Sequence, residues 1–189
     1  QFTQCDVDII GSSSLATDAE LISLIYAAFS NLGIEIVVRF NNRKLLNEVL
    51  DYCGIDKEKQ EAVILSIDKL EKFGTEVVKN ELRQQRIDDK TIAKILDIIN
   101  INGGNEQKIS QLKKMLKESE AIAEIEQLFV YLRNMGFEAD FDVSLARGLS
   151  YYTGTVIEAF LKNSSIKSAV CAGGRYDKMI GSLIGKNEY

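Results

Sequence analysis

An α+β fold built on a largely antiparallel sheet is predicted by three features of this 189-residue chain. Two-residue alternation of apolar and polar side chains appears near both ends, long helical periodicity fills the middle without interruption, and the strand-like runs near the C-terminus follow one another directly. Alternating βα units would be needed for a parallel sheet, and they are absent from the C-terminal third.

Each element has its own signal. Residues 2–10 alternate, with Thr3, Cys5, Val7 and Ile9 on one side and Gln4, Asp6 and Asp8 on the other, which predicts a strand with one polar face. Thr17 and Glu20 fit a capping box for a helix with Leu21, Leu24, Ile25, Ala28 and Phe29 on one side, and Gly33 ends it. Residues 34–40 predict a second strand, after which Asn41 or Asn42 caps a helix through Asp51 that stops at Gly54. From 55 to 117 the pattern is helical throughout, with Val63, Ile67, Leu70, Val77 and Val78 in one apolar group and Ile92, Ile95, Leu96 and Ile99 in another. A helix over 119–135 ends at Gly136; strands are predicted over 141–146, 155–161 and 166–172, and a last helix over 175–183.

Composition narrows the function. Apolar residues make up 46% and charged residues 27%, the balance of a soluble globular domain. No apolar run approaches the roughly 20 residues that span a bilayer, and Gln1 to Asp6 do not form a signal peptide, so a soluble, cytoplasmic protein is expected. Histidine is absent, which removes the commonest general base and metal ligand together with Ser-His-Asp and Cys-His nucleophile systems. Cys5, Cys53 and Cys171 are odd in number and far apart; buried thiols in a reducing compartment are expected, with no disulfide framework and no bound structural metal. Net charge is −5 overall, yet residues 57–117 hold 13 basic and 10 acidic side chains. That surplus fits either a nucleic-acid footprint or a solvated helical face with a chance imbalance.

Three stretches carry chemistry. Gln4 and Asp8 sit on one face of the first predicted strand, about 13 Å apart, with Asp6 between them. A donor-rich polar ligand could lie there, or the face could be the solvent side of an edge strand. Arg147-Gly148-Leu149-Ser150-Tyr151-Tyr152-Thr153-Gly154 places an arginine at a strand end beside a glycine and two adjacent tyrosines. The guanidinium offers a planar fork for carboxylate or phosphate, and without histidine the natural chemistry is charge stabilisation and positioning. One tyrosine is expected in the core and one outside. Ala172-Gly173-Gly174-Arg175-Tyr176-Asp177 puts paired glycines between a strand and a helix, where a helix N-terminus could favour an anion. The run from Gly181 to Asn187 is not a P-loop: only three residues separate its glycines and Asn187 stands where Ser or Thr is needed.

These three stretches and a fourth together resemble histidyl-tRNA synthetases. Residues 1–8, Gln-Phe-Thr-Gln-Cys-Asp-Val-Asp, look like the end of motif 2; residues 145–154 look like the first histidine-specific motif; residues 172–177 look like the second; and Asn41-Asn42-Arg43-Lys44-Leu45-Leu46 is also similar to the family. The resemblance implies a class II synthetase catalytic core in two parts, 1–54 and 118–189. Between them 55–117 would be a helical insertion domain approaching the tRNA acceptor arm. It implies that Gln4 holds the amino group of histidine, that Asp8 and Tyr152 hold its imidazole with Tyr151 alongside, and that Tyr176 lines the pocket. Gly148, Gly173 and Gly174 would supply pocket backbone. Arg147 would be the catalytic residue, binding the carboxylate and the α-phosphate. Ser150 stands where the family commonly has Asp. The expected ligands are histidine, ATP with Mg2+ as its substrate complex, and tRNA(His), in a homodimeric parent protein of which this chain is a fragment. Motif 1, the front of motif 2, motif 3 and the anticodon-binding domain are not among these residues. The alternative is a non-catalytic paralogue that senses histidine or tRNA, such as the regulatory subunit of ATP phosphoribosyltransferase.

Overall fold

The computed structural model describes residues 3–183 and 185. Gln1, Phe2 at the start of the first predicted strand, and most of 184–189 lie outside the described residues.

A four-stranded sheet, ordered β2-β1-β3-β4, organises the molecule: β1 (Ile36–Asn42), β2 (Asp140–Phe141), β3 (Thr155–Leu161) and β4 (Cys171–Gly174). β1 and β3 pair antiparallel over their whole length, from Ile36 opposite Leu161 to Asn42 opposite Thr155, and β3 pairs antiparallel with β4; the short β2 runs parallel to β1. One face carries Val38, Phe40, Ile157 and Ala159, all buried. Helices α1 (Leu15–Asn31) and α8 (Glu120–Met135) cover it, with Ile22 and Leu128 in the same core and Phe129 edge-on to Phe40 at 5.1 Å. The other face carries Arg39 and Glu158, directly opposite one another, and Val156. The alternation of β1 and β3 therefore assigns one face to the core and the other to charge.

The five helices between α2 (Arg43–Tyr52) and α8 are α3 (Lys57–Ile67), α4 (Leu70–Phe73), α5 (Thr75–Gln84), α6 (Asp89–Ile99) and α7 (Asn105–Met115). Among the described residues 55–117 contain no strand, as the periodicity predicts. Val63, Ile67, Val78, Ile92 and Ile95 are buried in an apolar cluster continuous with that under the sheet. Val77 departs from expectation and is exposed: neighbouring positions on a helix point about 100° apart, and Val78 takes the inward one.

Several elements differ from the sequence reading, each for a local reason. Residues 3–10 have no regular secondary structure and belong to no sheet, because no strand among the described residues lies beside them; all but Ile9 are exposed, including the Cys5 thiol expected to be buried. Cys53 and Cys171 are half-buried, and burial pushes both thiols up. α1 begins two residues before the expected capping box. Ser14 is its N-cap, its hydroxyl accepting from the Ala16 N–H at 3.2 Å, while the Thr17 hydroxyl donates to the Ser14 carbonyl. Along α1 the inward positions are Ala19 and Ile22, and Leu24 and Ala28 face solvent. Asn42, rather than Asn41, caps α2.

The strand predicted over 141–146 lasts only through Phe141. Asp142 then accepts from the N–H and hydroxyl of Ser144, and the buried Asn41 donates its side-chain amide to the carbonyls of Val143 (3.0 Å) and Leu145 (2.9 Å). A side chain thus takes over the hydrogen bonding that a ladder would have made. At the other end, 166–170 stay irregular and β4 occupies 171–174, so the paired glycines are strand residues; α9 (Met179–Leu183) starts four residues after Arg175. Gly136 closes α8 in the left-handed conformation at φ 78°, the role its position predicts.

Candidate functional site

The charged face of the sheet is where the motif residues gather. Arg147 lies on the irregular segment that leads from β2 to β3, and its Nη1 donates to Glu158 Oε1 at 2.7 Å with both side chains about four-fifths buried. Its guanidinium stands 5.8 Å from the centre of the Tyr152 ring, and its Nε–H is buried with no partner among the described residues. A buried guanidinium with one donor unused is set up to receive an anionic oxygen. Burial pushes the Glu158 carboxyl up, while the Arg147 charge and hydrogen bond pull it down.

Tyr152 is buried and Tyr151 is 40% exposed, the one-in, one-out division that adjacent positions predict, with ring centres 4.8 Å apart. Leu145, Tyr152 and Val156 form a small apolar cluster on the charged face, and Tyr176 packs against it. Gly174 makes that packing possible: a Cβ there would come within 2.8 Å of Tyr152 Cδ1 and 2.9 Å of the Thr155 carbonyl. Gly173 has nothing within 4 Å of its Cβ position, so close approach requires only the second glycine of the pair. Gly148 is also crowded, its Cβ position lying 3.1 Å from Asp68 Oδ2.

The Tyr176 hydroxyl donates to Asp8 Oδ1, and this bond, first among the causes, pushes the Tyr176 hydroxyl up to about 12. Asp8 and Tyr176 are thereby brought together. Gln4 is not: its side-chain amide donates to both oxygens of Asp6, at 2.9 and 3.1 Å, on the exposed N-terminal segment. Ser150 is exposed. No group of three or more His, Cys, Asp or Glu side chains among the described residues could hold a metal ion. None of the described helices is long and apolar enough to cross a membrane.

Sequence reasoning passed over Glu158 and the network behind the second glycine motif. Glu158 had a signal, a lone carboxylate between Val156-Ile157 and Ala159-Phe160 in a strand. The network runs from the buried Asp18 of α1: Thr155 donates its hydroxyl to Asp18 Oδ2 at 2.5 Å, Arg175 lies 3.7 Å away, and Arg175 also donates to Asp177 and to the Ser13 carbonyl. Thr153 donates to Asp177 in turn. These bonds fix the chain on both sides of Tyr176, and no spacing in the sequence links Asp18 to them.

The family profile described as Histidyl-tRNA synthetase matches residues 1–189. The chain belongs to the histidyl-tRNA synthetase family. It is 40% identical to histidine--tRNA ligase 2 of Shouchella clausii, over the whole chain and 45% of that relative, and 41% identical to histidine--tRNA ligase of Clostridium tetani, over 95% of the chain and 43% of that relative. It thus spans a little under half the length of these relatives. The crystal structure of histidyl-tRNA synthetase from Nostoc sp. PCC 7120 superposes with a TM-score of 0.85 at 33% identity, over 93% of this chain and 43% of that one. An ATP phosphoribosyltransferase regulatory subunit/histidyl-tRNA synthetase from Bacillus halodurans shares the fold at 22% identity, with a TM-score of 0.75, over 92% of this chain and 46% of that one. The α+β class and the largely antiparallel sheet flanked by helices agree with these histidyl-tRNA synthetase relatives. Of the four stretches that resemble the synthetase motifs, three meet on the charged face, at Asp8, Arg147 with Tyr152, and Tyr176. The fourth supports them through the Asn41 side chain and the Arg43 N–H, which donates to the Gly154 carbonyl at 2.8 Å.

Proposed function

We propose that these residues form the histidine-binding part of a cytoplasmic histidine--tRNA ligase. The enzyme would activate histidine with ATP to histidyl-adenylate and transfer it to tRNA(His). The observation that carries this reading is the convergence of Asp8, Arg147, Tyr152 and Tyr176 on one sheet face, in a chain that matches the synthetase family from end to end.

In activation, a carboxylate oxygen of histidine attacks the α-phosphorus of ATP, a new O–P bond forms, and the bond to pyrophosphate breaks. Negative charge gathers on the α-phosphate oxygens at that moment. Arg147 is the catalytic residue: Glu158 fixes one nitrogen, and the buried, unpartnered Nε–H is free for a substrate oxygen. A donor held before the reaction begins needs no reorganisation as the charge develops. Asp8 and Tyr152 hold the imidazole, Tyr151 and Tyr176 line the pocket, Gln4 takes the amino group, and Gly148, Gly173 and Gly174 supply backbone. Mg2+ enters with ATP as the substrate complex. Residues 1–54 and 118–189 are the two parts of the catalytic core; 55–117 form the insertion that meets the tRNA acceptor arm, and the full protein works as a homodimer.

The test is histidine-dependent ATP–pyrophosphate exchange in the protein expressed from its full reading frame. Exchange is expected in the wild type, and Arg147→Ala is expected to lower it by at least about a hundredfold, the loss typical for a preorganised charge-stabilising group. A folded, histidine-binding protein without exchange would overturn the ligase reading in favour of a sensing paralogue.

A further inference from the structure

The helical segment reaches the charged sheet face at the junction of α3 and α4. Asp68 follows the last turn of α3, and its Oδ2 lies 3.1 Å from the position a Cβ would take on Gly148. Leu65, one turn earlier, comes within 3.5 Å of the same point. Gly148 is therefore the residue at which the chain beside Arg147 approaches this junction, and a larger side chain would push Asp68 away. Burial pushes the Asp68 carboxyl up, against the smaller downward pull of Arg147, the Gly148 backbone and Lys69. Asp68 in turn adds to the negative field that raises Glu158. One residue into α4, Glu71 pairs with Arg39 at 3.1 Å, and Arg39 is the cross-strand partner of Glu158. The junction thus places Glu71 against Arg39 of β1 and Asp68 against Gly148, the residue that follows Arg147.

Resting on the reading of Arg147 given above, we propose that Asp68 is a positioning residue for Arg147, acting with Glu158 so that docking of the helical segment sets the guanidinium. Glu158 holds Nη1 from within the sheet. Asp68 lies against the adjoining Gly148 and supplies a second negative charge from an element 80 positions earlier in the chain. A change in how the α3–α4 junction sits would alter the aim of the arginine without any substrate contact by Asp68.

The test uses the full reading frame and two readouts. Because Asp68 is solvent-edged, Asp68→Asn is expected to lower kcat for pyrophosphate exchange about threefold to tenfold, with the histidine KM within about twofold of wild type. Glu158→Gln is expected to lower it further, and Asp68→Glu to restore part of the loss. The second readout needs no activity: the Arg147 Nε–H resonance, assigned by its absence in Arg147→Lys, is expected to shift and to exchange faster with water in Asp68→Asn. An unchanged resonance with unchanged kcat would overturn the proposal, as would a kcat loss tracked by an equal loss of thermal stability. Exchange that survives Arg147→Ala would instead overturn the catalytic reading, and the resonance would still decide whether Asp68 positions Arg147.

Discussion

Tyr176 donates its hydroxyl to Asp8 across 168 positions of sequence, tying the exposed N-terminal segment to the turn that follows β4. The bond favours the protonated phenol, because ionised Tyr176 would face a carboxylate it can no longer donate to. The Tyr176 hydroxyl, raised to about 12, should therefore fall toward its ordinary 10 in Asp8→Asn, read as tyrosinate absorbance in a difference titration. The sign for stability follows. The contribution of this bond is complete below pH 10 and is lost as pH rises through about 12. Asp8→Ala should abolish histidine binding by calorimetry while leaving the melting temperature nearly unchanged, since Asp8 is exposed. A large drop in melting temperature would assign Asp8 a structural role.

The two glycines of β4 should respond differently to the same substitution. Gly174→Ala drives a methyl into the Tyr152 ring and the Thr155 carbonyl, and overpacking of that kind costs about 1–3 kcal/mol. Gly173→Ala meets nothing and should stay within about 0.5 kcal/mol of wild type. Urea denaturation of the pair measures the difference; equal effects would contradict the packing described for Tyr152.

Asp18→Ala should destabilise by about 3 kcal/mol in the same assay, because it removes the acceptor for Thr155 and leaves Arg175 without its buried neighbour. Burial raises the Asp18 carboxyl from its ordinary 3.8, so its own contribution is largest below that pH and falls as pH rises through the folded value. Asp18→Asn keeps the shape and lacks that downward slope. Its stability relative to wild type should improve as pH rises over this range.

The sequence by itself determined the order and type of the main elements and the identity of the motif residues. Periods of 3.6 and 2 are written into which positions are apolar, so the helices from Lys57 to Met115 and the strand Thr155–Leu161 were legible, as was the inward Tyr152 beside the outward Tyr151. Local capping chemistry was legible too, at Gly136 and, between two neighbouring candidates, at Asn42. Only the tertiary structure decided what depends on contacts between distant segments. Residues 3–10 have the alternation of a strand yet lie in no sheet, because alternation describes a surface and a ladder needs a partner. Residues 142–146 have strand composition, but the buried amide of Asn41 claims their carbonyls and turns the chain so that Arg147 arrives beside Glu158. Asp18, Glu158 and Asp68 take their roles from neighbours 11 to more than 130 positions away, and contacts over that range leave no periodic trace in the sequence.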